Sequence, residues 1–356
     1  DLTTVDGYAV RAADTHGASE SLPAYFELVG EVPMGAAPDL TVGSGECALI
    51  HTGGMLPDGA DAAVMLEYTQ QARSGEIEML RAVAVGENVI EVGEDVKQSE
   101  AVIPAGRKIR PAEIGGLMAL GIMKVDVARK PRVGIISSGD EVIPPGQRPA
   151  PGEVRDINSY TLSAAVEAAG GEAVLYGIVA DTREAMYQAA SQAQRECDLV
   201  VVTAGSSASA RDLTSEILDR LGEPGVLVHG VNTRPGKPTI LAVCDGVAMI
   251  GLPGNPVSAL VNIRLFVAPV IRTLLGEEPR PQATLPAKLT VNLASQAGRE
   301  DWVPVILRQM EDGYQAEPIF GKSNLIFILA RADGLVRIPA DATGLSAGER
   351  VDVVLT

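Results

Sequence analysis

The sequence predicts a multidomain α/β protein: an α/β sandwich domain, a β domain inserted into a linking domain, and a C-terminal β-barrel. Three observations carry this reading. Short β-branched apolar runs alternate with helical patterns through the middle of the chain, Gly- and Pro-punctuated alternating runs fill residues 11–90, and the same β character returns after residue 279. At 356 residues the length alone suggests about two or three domains. A hydrophobic content of 46% with 3% aromatics describes a core of Ala, Val, Ile and Leu.

The chain opens on DLTTVDGYAV (1–10), which closes in the compact turn Asp6-Gly7-Tyr8-Ala9. Residues 11–90 carry short alternating runs at 25–29, 46–51, 62–65 and 76–80, read as strands of a small all-β unit, with HTGGMLPDGAD (51–61) as a long loop. Residues 1–10 precede this unit and 91–128 follow it, so residues 11–90 are expected to be an insertion into a linking domain made of 1–10 and 91–130. Within 91–130, Ile114, Leu117 and Met118 have helical spacing, and Gly121 suits the end of that helix.

The α/β domain is expected over 131–278. Its first buried strand, RVGIIS (132–137), delivers Ser138-Gly139-Asp140-Glu141. Asn158 fits an N-cap for a helix through residue 169. The strand at 172–178 delivers Asp181, and Asp181-x-x-Glu184 has the form of a capping box opening a helix to residue 196. A second buried run, DLVVVT (198–203), leads through a Ser/Ala-rich loop to Asp212 at the start of a helix over 213–221. A strand at 226–229, the turn RPGKP (234–238) and a hairpin of 239–243 with 247–252 follow. Asn255-Pro256 then starts a helix to about residue 275, Asn as the cap and Pro in the first helical position. Residues 279–356 show strands at 287–291, 303–309, 335–338 and 350–355, as in a small barrel.

Bulk chemistry narrows the function. A net charge of −17 argues against a nucleic-acid partner, whose phosphates the chain would repel. Three cysteines without a C-x-x-C pair, and three histidines without metal-binding spacing, argue against a zinc site and suit a reducing cytoplasm. No apolar run approaches the ~20 residues of a membrane span, and no signal-peptide pattern is present. The chain begins at Asp1 directly on a patterned stretch, so an N-terminal portion is expected to be missing.

Ligands of a parallel sheet bind at the carboxyl ends of its strands, and the candidate residues sit there. Gly205, Ser206 and Ser207 begin a loop of small residues that either cradles an anion on backbone N–H groups or is a plain flexible connection. Asp140-Glu141 either contributes to a Mg²⁺ site or forms a solvated turn. Capping by itself accounts for Asp181, and turn formation for Asp6, Asp95 and Asp245. Arg234, Lys237 and Pro238 form a rigid turn with two cations, suited to an oxyanion. The stretch LPGNPVS (252–258), ending at Ser258, aims a helix N-terminus at the same place. His16, His51 and His229 read as structural or surface residues, and no serine lies in a nucleophile elbow.

At these residues the chain resembles the molybdopterin molybdenumtransferases, the family of MoeA and the gephyrin E domain. The matching pieces are VDGYAV (5–10), HTGGMLPDGAD (51–61), GED (93–95), PRVGIISSGDEVIPPG (131–146), RDINSYTL (155–162), DLVVVTAG (198–205), RPGKP (234–238) and GLPGNPVSALV (251–261). The resemblance implies four domains per subunit (an elongated linking domain, an inserted β domain, a molybdopterin-binding α/β domain and a C-terminal β-barrel) and a homodimer with its site between subunits. It also implies the chemistry: adenylylated molybdopterin binds, molybdate is inserted at the dithiolene, and the adenylate is cleaved with Mg²⁺ to release AMP. An upstream molybdopterin adenylyltransferase is the implied partner. The family's acidic positions fall on Asp6, Asp95, Glu141, Asp181 and Asp212. Of these, Glu141, Asp181 and Asp212 are expected at metal and pterin phosphate, with Glu141 and Asp212 as metal ligands. Lys237, Ser258 and Ser323 are expected at the oxyanion, with Gly205, Ser206, Ser207, Arg234 and Pro238 also facing substrate. Asp6 and Asp95 are expected to shape the cleft from the partner subunit.

The chain departs from the family at three places. The usual loop GGVSxGxxD is Ser/Ala-rich here (204–212), a lysine common in the family is Gly230, and an arginine of the C-terminal domain is Pro304. Arg211 or Arg299 could stand in for the lost charge. These departures motivate a second reading, a non-catalytic molybdopterin-binding or sensing member of the same fold. A third, a dimerisation scaffold, is opposed by the presence of Glu141, Asp181, Asp212 and Lys237 in their motif settings.

Overall fold

A computed structural model describes residues 1–204, 208–279 and 281–356. The chain divides into two compact units, Asp1–Val102 and Ile103–Thr356.

The first unit is all-β, as the turn-punctuated runs predict. Its six-stranded sheet runs Ala62–Met65, Gly7–Val10, Glu46–Ile50, Ala24–Glu31, Glu76–Met79, Thr69–Arg73. The alternation that marks a half-buried strand is clear in Glu76–Met79, where Ile77 and Met79 point inward to meet Val10, Phe26, Cys47 and Val64. Beside this sheet, Leu2–Thr3 pairs antiparallel with Val89–Ile90, so the chain enters and leaves the sheet along a shared ribbon.

In the second unit a six-stranded sheet runs Glu172–Val179, Arg132–Ser138, Leu199–Ala204, Val247–Pro253, Ile240–Cys244, Pro224–His229. The first four strands are parallel and the last two pairings antiparallel. Because side chains alternate across a strand, consecutive apolar residues feed two cores. Val133, Ile135, Leu199 and Val201 meet Leu162 and Val166 of helix Asn158–Ala168 on one face. Ile136, Val200, Val202 and Met249 meet Met186, Ala190 and Ala193 of helix Arg183–Glu196 on the other. Against the expectation that no apolar run reaches spanning length, the helical stretch Pro256–Leu274 has the length and hydropathy of a membrane span. Ala259, Ile263, Val267 and Ile271, each four residues apart, instead pack it on the sheet as a core helix.

The predicted barrel also forms. Strands Glu300–Met310, Gly313–Pro318, Thr284–Leu289, Arg350–Leu355 and Gly334–Ile338 pair in succession, and Gly334–Ile338 returns to Glu300–Met310, closing the ring around Val305, Val336 and Val353. A short parallel pairing of Thr233–Arg234 with Glu300 and Asp301 stitches the barrel to the loop that ends in Lys237. That loop is gripped from behind, because the Asn262 amide donates to the Pro235 carbonyl at 3.1 Å and the Ser258 carbonyl at 2.7 Å.

Two stability predictions follow from these joints. At Gly236 φ is +111° and a Cβ would come within 1.7 Å of Asn262 Nδ2, so Gly236→Ala is expected to cost more than about 1 kcal/mol by thermal unfolding. Where the linker enters the first strand, Asp198 accepts from the Arg129 guanidinium at 2.7 and 2.5 Å and from the Arg132 N–H at 2.8 Å. The bond from Arg129, above all, holds the Asp198 carboxyl below the usual carboxylate range. Its stabilisation is therefore full above the ordinary aspartate pKa and is lost as pH falls through the lowered one. Asp198→Asn should cost about 1 kcal/mol near neutrality, and the gap in melting temperature from the parent should close on acidification.

Candidate active site

Two groups of side chains form at the carboxyl ends of the strands. The first is acidic. Strand Arg132–Ser138 stops at Gly139, where φ is +147° and a Cβ would lie 2.7 Å from Val142 Cγ2 and 2.9 Å from Glu141 Oε2. The missing side chain lets Glu141 fold back over the strand end. From the neighbouring strand, the Asp181 N–H donates to Asp140 Oδ1 at 3.2 Å. Burial pushes the Asp181 carboxyl up, and the charges of Asp140 and Glu141 push it the same way.

Three expected caps are corrected here. Thr182, extended at φ −114° and ψ 145°, caps helix Arg183–Glu196 by accepting the Ala185 N–H at 3.4 Å. Asp181 is thereby released from capping and faces its fellow carboxylates. Asp156 rather than Asn158 accepts the Ser159 N–H, at 3.0 Å, while the Asn158 amide reaches across to the Gly254 carbonyl at 2.8 Å. The helix expected to begin after Asp212 begins at Ala208, because Ala208, Ala210 and Arg211 favour continued helix. Asp212 is thus an exposed residue within the helix and not its cap. Gly205, Ser206 and Ser207 lie outside the described residues. Among the described residues no three His, Cys, Asp or Glu side chains form a ready-made metal cage. Mg²⁺ does not require one, since it takes one or two carboxylates and completes its shell with water and phosphate.

The second group lines a cavity of about 680 Å³ between the segments that follow the sheet's strands (233–238 and 253–258) and the barrel. Arg234, Lys237, Pro238, Ser258 and Ser323, separated by up to ninety residues in sequence, all lie on its wall. Pro256 in the first helical position places Ser258, 4% exposed, in the first turn of the helix. The Val257 N–H donates to the Ser323 carbonyl at 3.0 Å, fastening the barrel's Gly321-Lys322-Ser323 loop to that helix start. The Val231 N–H donates to the Lys237 carbonyl at 2.8 Å and closes the turn carrying Lys237.

Sequence reasoning missed several wall residues: Asp301, Trp302, Phe320 and Lys322. Asp301 accepts from Arg299 Nε at 2.6 Å and Nη2 at 2.9 Å, and it lies 3.7 Å from Arg234 Nη1. The bond to Asp301 pushes the Arg299 guanidinium up, so Arg299 is firmly charged. A signal was present, because Arg299 and Asp301 stand two residues apart where the strand Glu300–Met310 begins, the spacing that brings side chains to one face of extended backbone. The wall thus carries four cations (Arg234, Lys237, Arg299 and Lys322) against one acid (Asp301), on a chain of net charge −17.

In the first unit, Asp6 Oδ1 accepts the Thr52 N–H at 2.8 Å and the Thr52 hydroxyl at 3.2 Å, which together hold its carboxyl below the usual range. His51 bridges this group to Glu31, with its Nε2 2.8 Å from Glu31 Oε1 and its Nδ1 4.0 Å from Asp6. Thr52 was missed in sequence, although it directly follows that histidine in HTGG. Asp95 is exposed in a bend after Gly93.

Comparison with known proteins agrees along the chain. Residues 1–121 match the MoeA N-terminal region (domain I and II), 134–273 a probable molybdopterin binding domain, and 286–356 the MoeA C-terminal region (domain IV). A putative molybdopterin biosynthesis protein of Methanocaldococcus jannaschii is 37% identical over 99% of this chain and 84% of its own length. A molybdopterin molybdenumtransferase of Bacillus subtilis is 31% identical over 100% of this chain and 83% of its own. The crystal structure of the molybdopterin biosynthesis MoeA protein of Pyrococcus horikoshii superposes with a TM-score of 0.84 at 32% identity, covering 100% of this chain and 87% of that one. The motifs, the sheet with its cationic cavity and these matches agree: the chain belongs to the molybdopterin molybdenumtransferase (MoeA) family.

Proposed function

We propose that this protein inserts molybdate into adenylylated molybdopterin with Mg²⁺-dependent release of AMP, acting as a cytoplasmic homodimer. The observation that carries the reading is the four-to-one excess of cations over acids on the cavity wall of a strongly acidic chain. Charged donors of this kind recognise oxyanions through short charge-assisted hydrogen bonds. Lys237 supplies a point charge from a rigid turn, Arg234 and Arg299 supply planar forks, and Ser258 and Ser323 supply hydroxyls. A volume of about 680 Å³ exceeds the needs of one tetrahedral oxyanion and leaves room for part of a phosphorylated pterin.

Glu141, Asp181 and Asp212 are the carboxylates proposed for Mg²⁺ and the pterin phosphate; one or two of them would bind the ion directly, with water and phosphate completing its shell. Burial, and then the charges of Asp140 and Glu141, raise the proton affinity of Asp181, and a cation bound among these carboxylates would oppose that rise. When bound, Mg²⁺ would offset charge on the phosphoanhydride. The chain's own work is to hold the oxyanion and the phosphate ends in fixed relation, so that insertion and loss of AMP are coupled by position.

The homodimer is supported by an unpartnered apolar surface. Helix Pro111–Ala119 buries only Leu117, and Ile114, Met118, Met123 and Val127 stand exposed on it and just beyond it. A cytoplasmic setting is supported by Cys47, Cys197 and Cys244, all free and buried. An adenylyltransferase is the class of enzyme that must supply the substrate.

Purified protein should release AMP from adenylylated molybdopterin only when molybdate and Mg²⁺ are both present, followed by chromatography of the nucleotide. Lys237→Ala should lower kcat/KM for molybdate by roughly 100-fold. Molybdate-independent release, or a Lys237→Ala variant equal to the parent, contradicts the proposal. Protons and Mg²⁺ also compete for Asp181, so apparent Mg²⁺ affinity should weaken as pH falls towards the carboxylate range. Mg²⁺ titrations at several pH values should show a flatter dependence for Asp181→Asn; an unchanged dependence removes Asp181 from the metal site.

A further inference from the structure

The cationic side of the cavity is organised by a carboxylate that the proposed chemistry does not itself need. The Asp301 side chain is only 4% exposed, and a carboxylate so far from water is costly unless its oxygens are paired. Two arginines from different parts of the chain answer it. Arg299 engages both oxygens through Nε and Nη2, and Arg234, directly across the short parallel pairing, approaches Oδ2 at 3.7 Å. The Arg299 side chain remains 28% exposed and lines the cavity, so the guanidinium donors not used on Asp301 stay available to a ligand there. Further along the same strand, Pro304 lines the cavity without a charge.

We propose that Arg299 is an oxyanion-binding residue of this cavity and that Asp301 is its positioning residue, the two fixing the orientation in which molybdate is received. The inference deepens the functional reading above and rests on it. A guanidinium held bidentately along one edge cannot rotate, and its other N–H groups present a preset fork to a tetrahedral oxyanion. The looser approach of Arg234, 3.7 Å from Oδ2, keeps a second guanidinium beside the first. Asp301 thus acts on the ligand only through the arginines it aligns.

Calorimetric titration of the full chain with sodium molybdate tests this, using the parent, Arg299→Ala, Arg299→Lys, Asp301→Asn and, as a positive control for the cavity, Lys237→Ala. Melting temperatures establish that each variant is folded. Arg299→Ala should raise the Kd for molybdate roughly 10- to 100-fold. Arg299→Lys should recover part of that loss, because it restores charge without the fork. Asp301→Asn, which keeps the shape of the side chain, should weaken binding several-fold. In steady-state assays the KM for molybdate should rise in all three variants while the KM for the adenylylated pterin holds. If folded Arg299→Ala binds molybdate as tightly as the parent while Lys237→Ala does not, Arg299 is only a structural partner of Asp301 and this inference falls alone. If the parent itself binds no molybdate, the functional reading falls and takes this inference with it. Should Asp301→Asn fail to fold, the two Arg299 variants still decide the matter.

Discussion

A buried carboxylate imposes the main constraint on this site. Removing Asp301 from water would cost several kcal/mol if it stood unpaired, and its partners come from two places: Arg299 just before the barrel's longest strand, and Arg234 in the connection between two strands of the α/β sheet. Arg299 meets both oxygens from within the barrel, while the approach of Arg234 at 3.7 Å and the pairing of Thr233–Arg234 with Glu300 and Asp301 draw the loop against it, and the cavity is the space that this joint leaves open. The other fastenings reinforce it. Val257 holds the Ser323 loop against a helix start, and Asn262 grips the Pro235 carbonyl where glycine at 236 leaves room for its amide. Each is a hydrogen bond between segments distant in sequence, and together they tie the loops of the wall to the helix start and the barrel strands that make up the rest of it.

Much of this was legible in the sequence. Buried parallel strands announce themselves as β-branched runs, and the strands around 132–138 and 199–204 did so because both their faces need apolar residues. The cavity residues were legible because Pro and Gly at fixed spacing are rarely neutral: Pro235-Gly236-Lys237-Pro238 and Gly254-Asn255-Pro256 fix the turns that aim Lys237 and Ser258. Caps were harder to read. Asp181 and Thr182 are both good caps in composition, and the choice falls to whichever backbone is extended at the helix entrance, which tertiary contacts decide. Asn158 was displaced by Asp156 because its amide had a more distant partner at Gly254. Arg299 and Asp301 could be read as sharing a face, but not as facing a cavity, because the pairing of Thr233–Arg234 with residues 300 and 301 is long-range and leaves no local trace.

Charge is distributed with the same economy. The chain as a whole repels anions, yet cations are collected at one cavity and carboxylates at the adjoining strand tips. A substrate with phosphate groups and a metal oxyanion to be delivered needs both kinds of surface within one molecule's length. The departures at Gly230 and Pro304 remove charge that the family resemblance leads one to expect, but they do not leave the cavity poor in cations, since Arg234, Arg299 and Lys322 remain on its wall beside Lys237.

The most direct measurement is a crystal of the full chain soaked in molybdate, with anomalous diffraction collected at the molybdenum edge. The account predicts an anomalous peak inside the cavity, within hydrogen-bonding distance of Lys237 and of the free edge of Arg299, with Ser258 or Ser323 completing the contacts. A well-diffracting soaked crystal with no peak in that cavity, or with molybdenum bound only elsewhere on the chain, would contradict it.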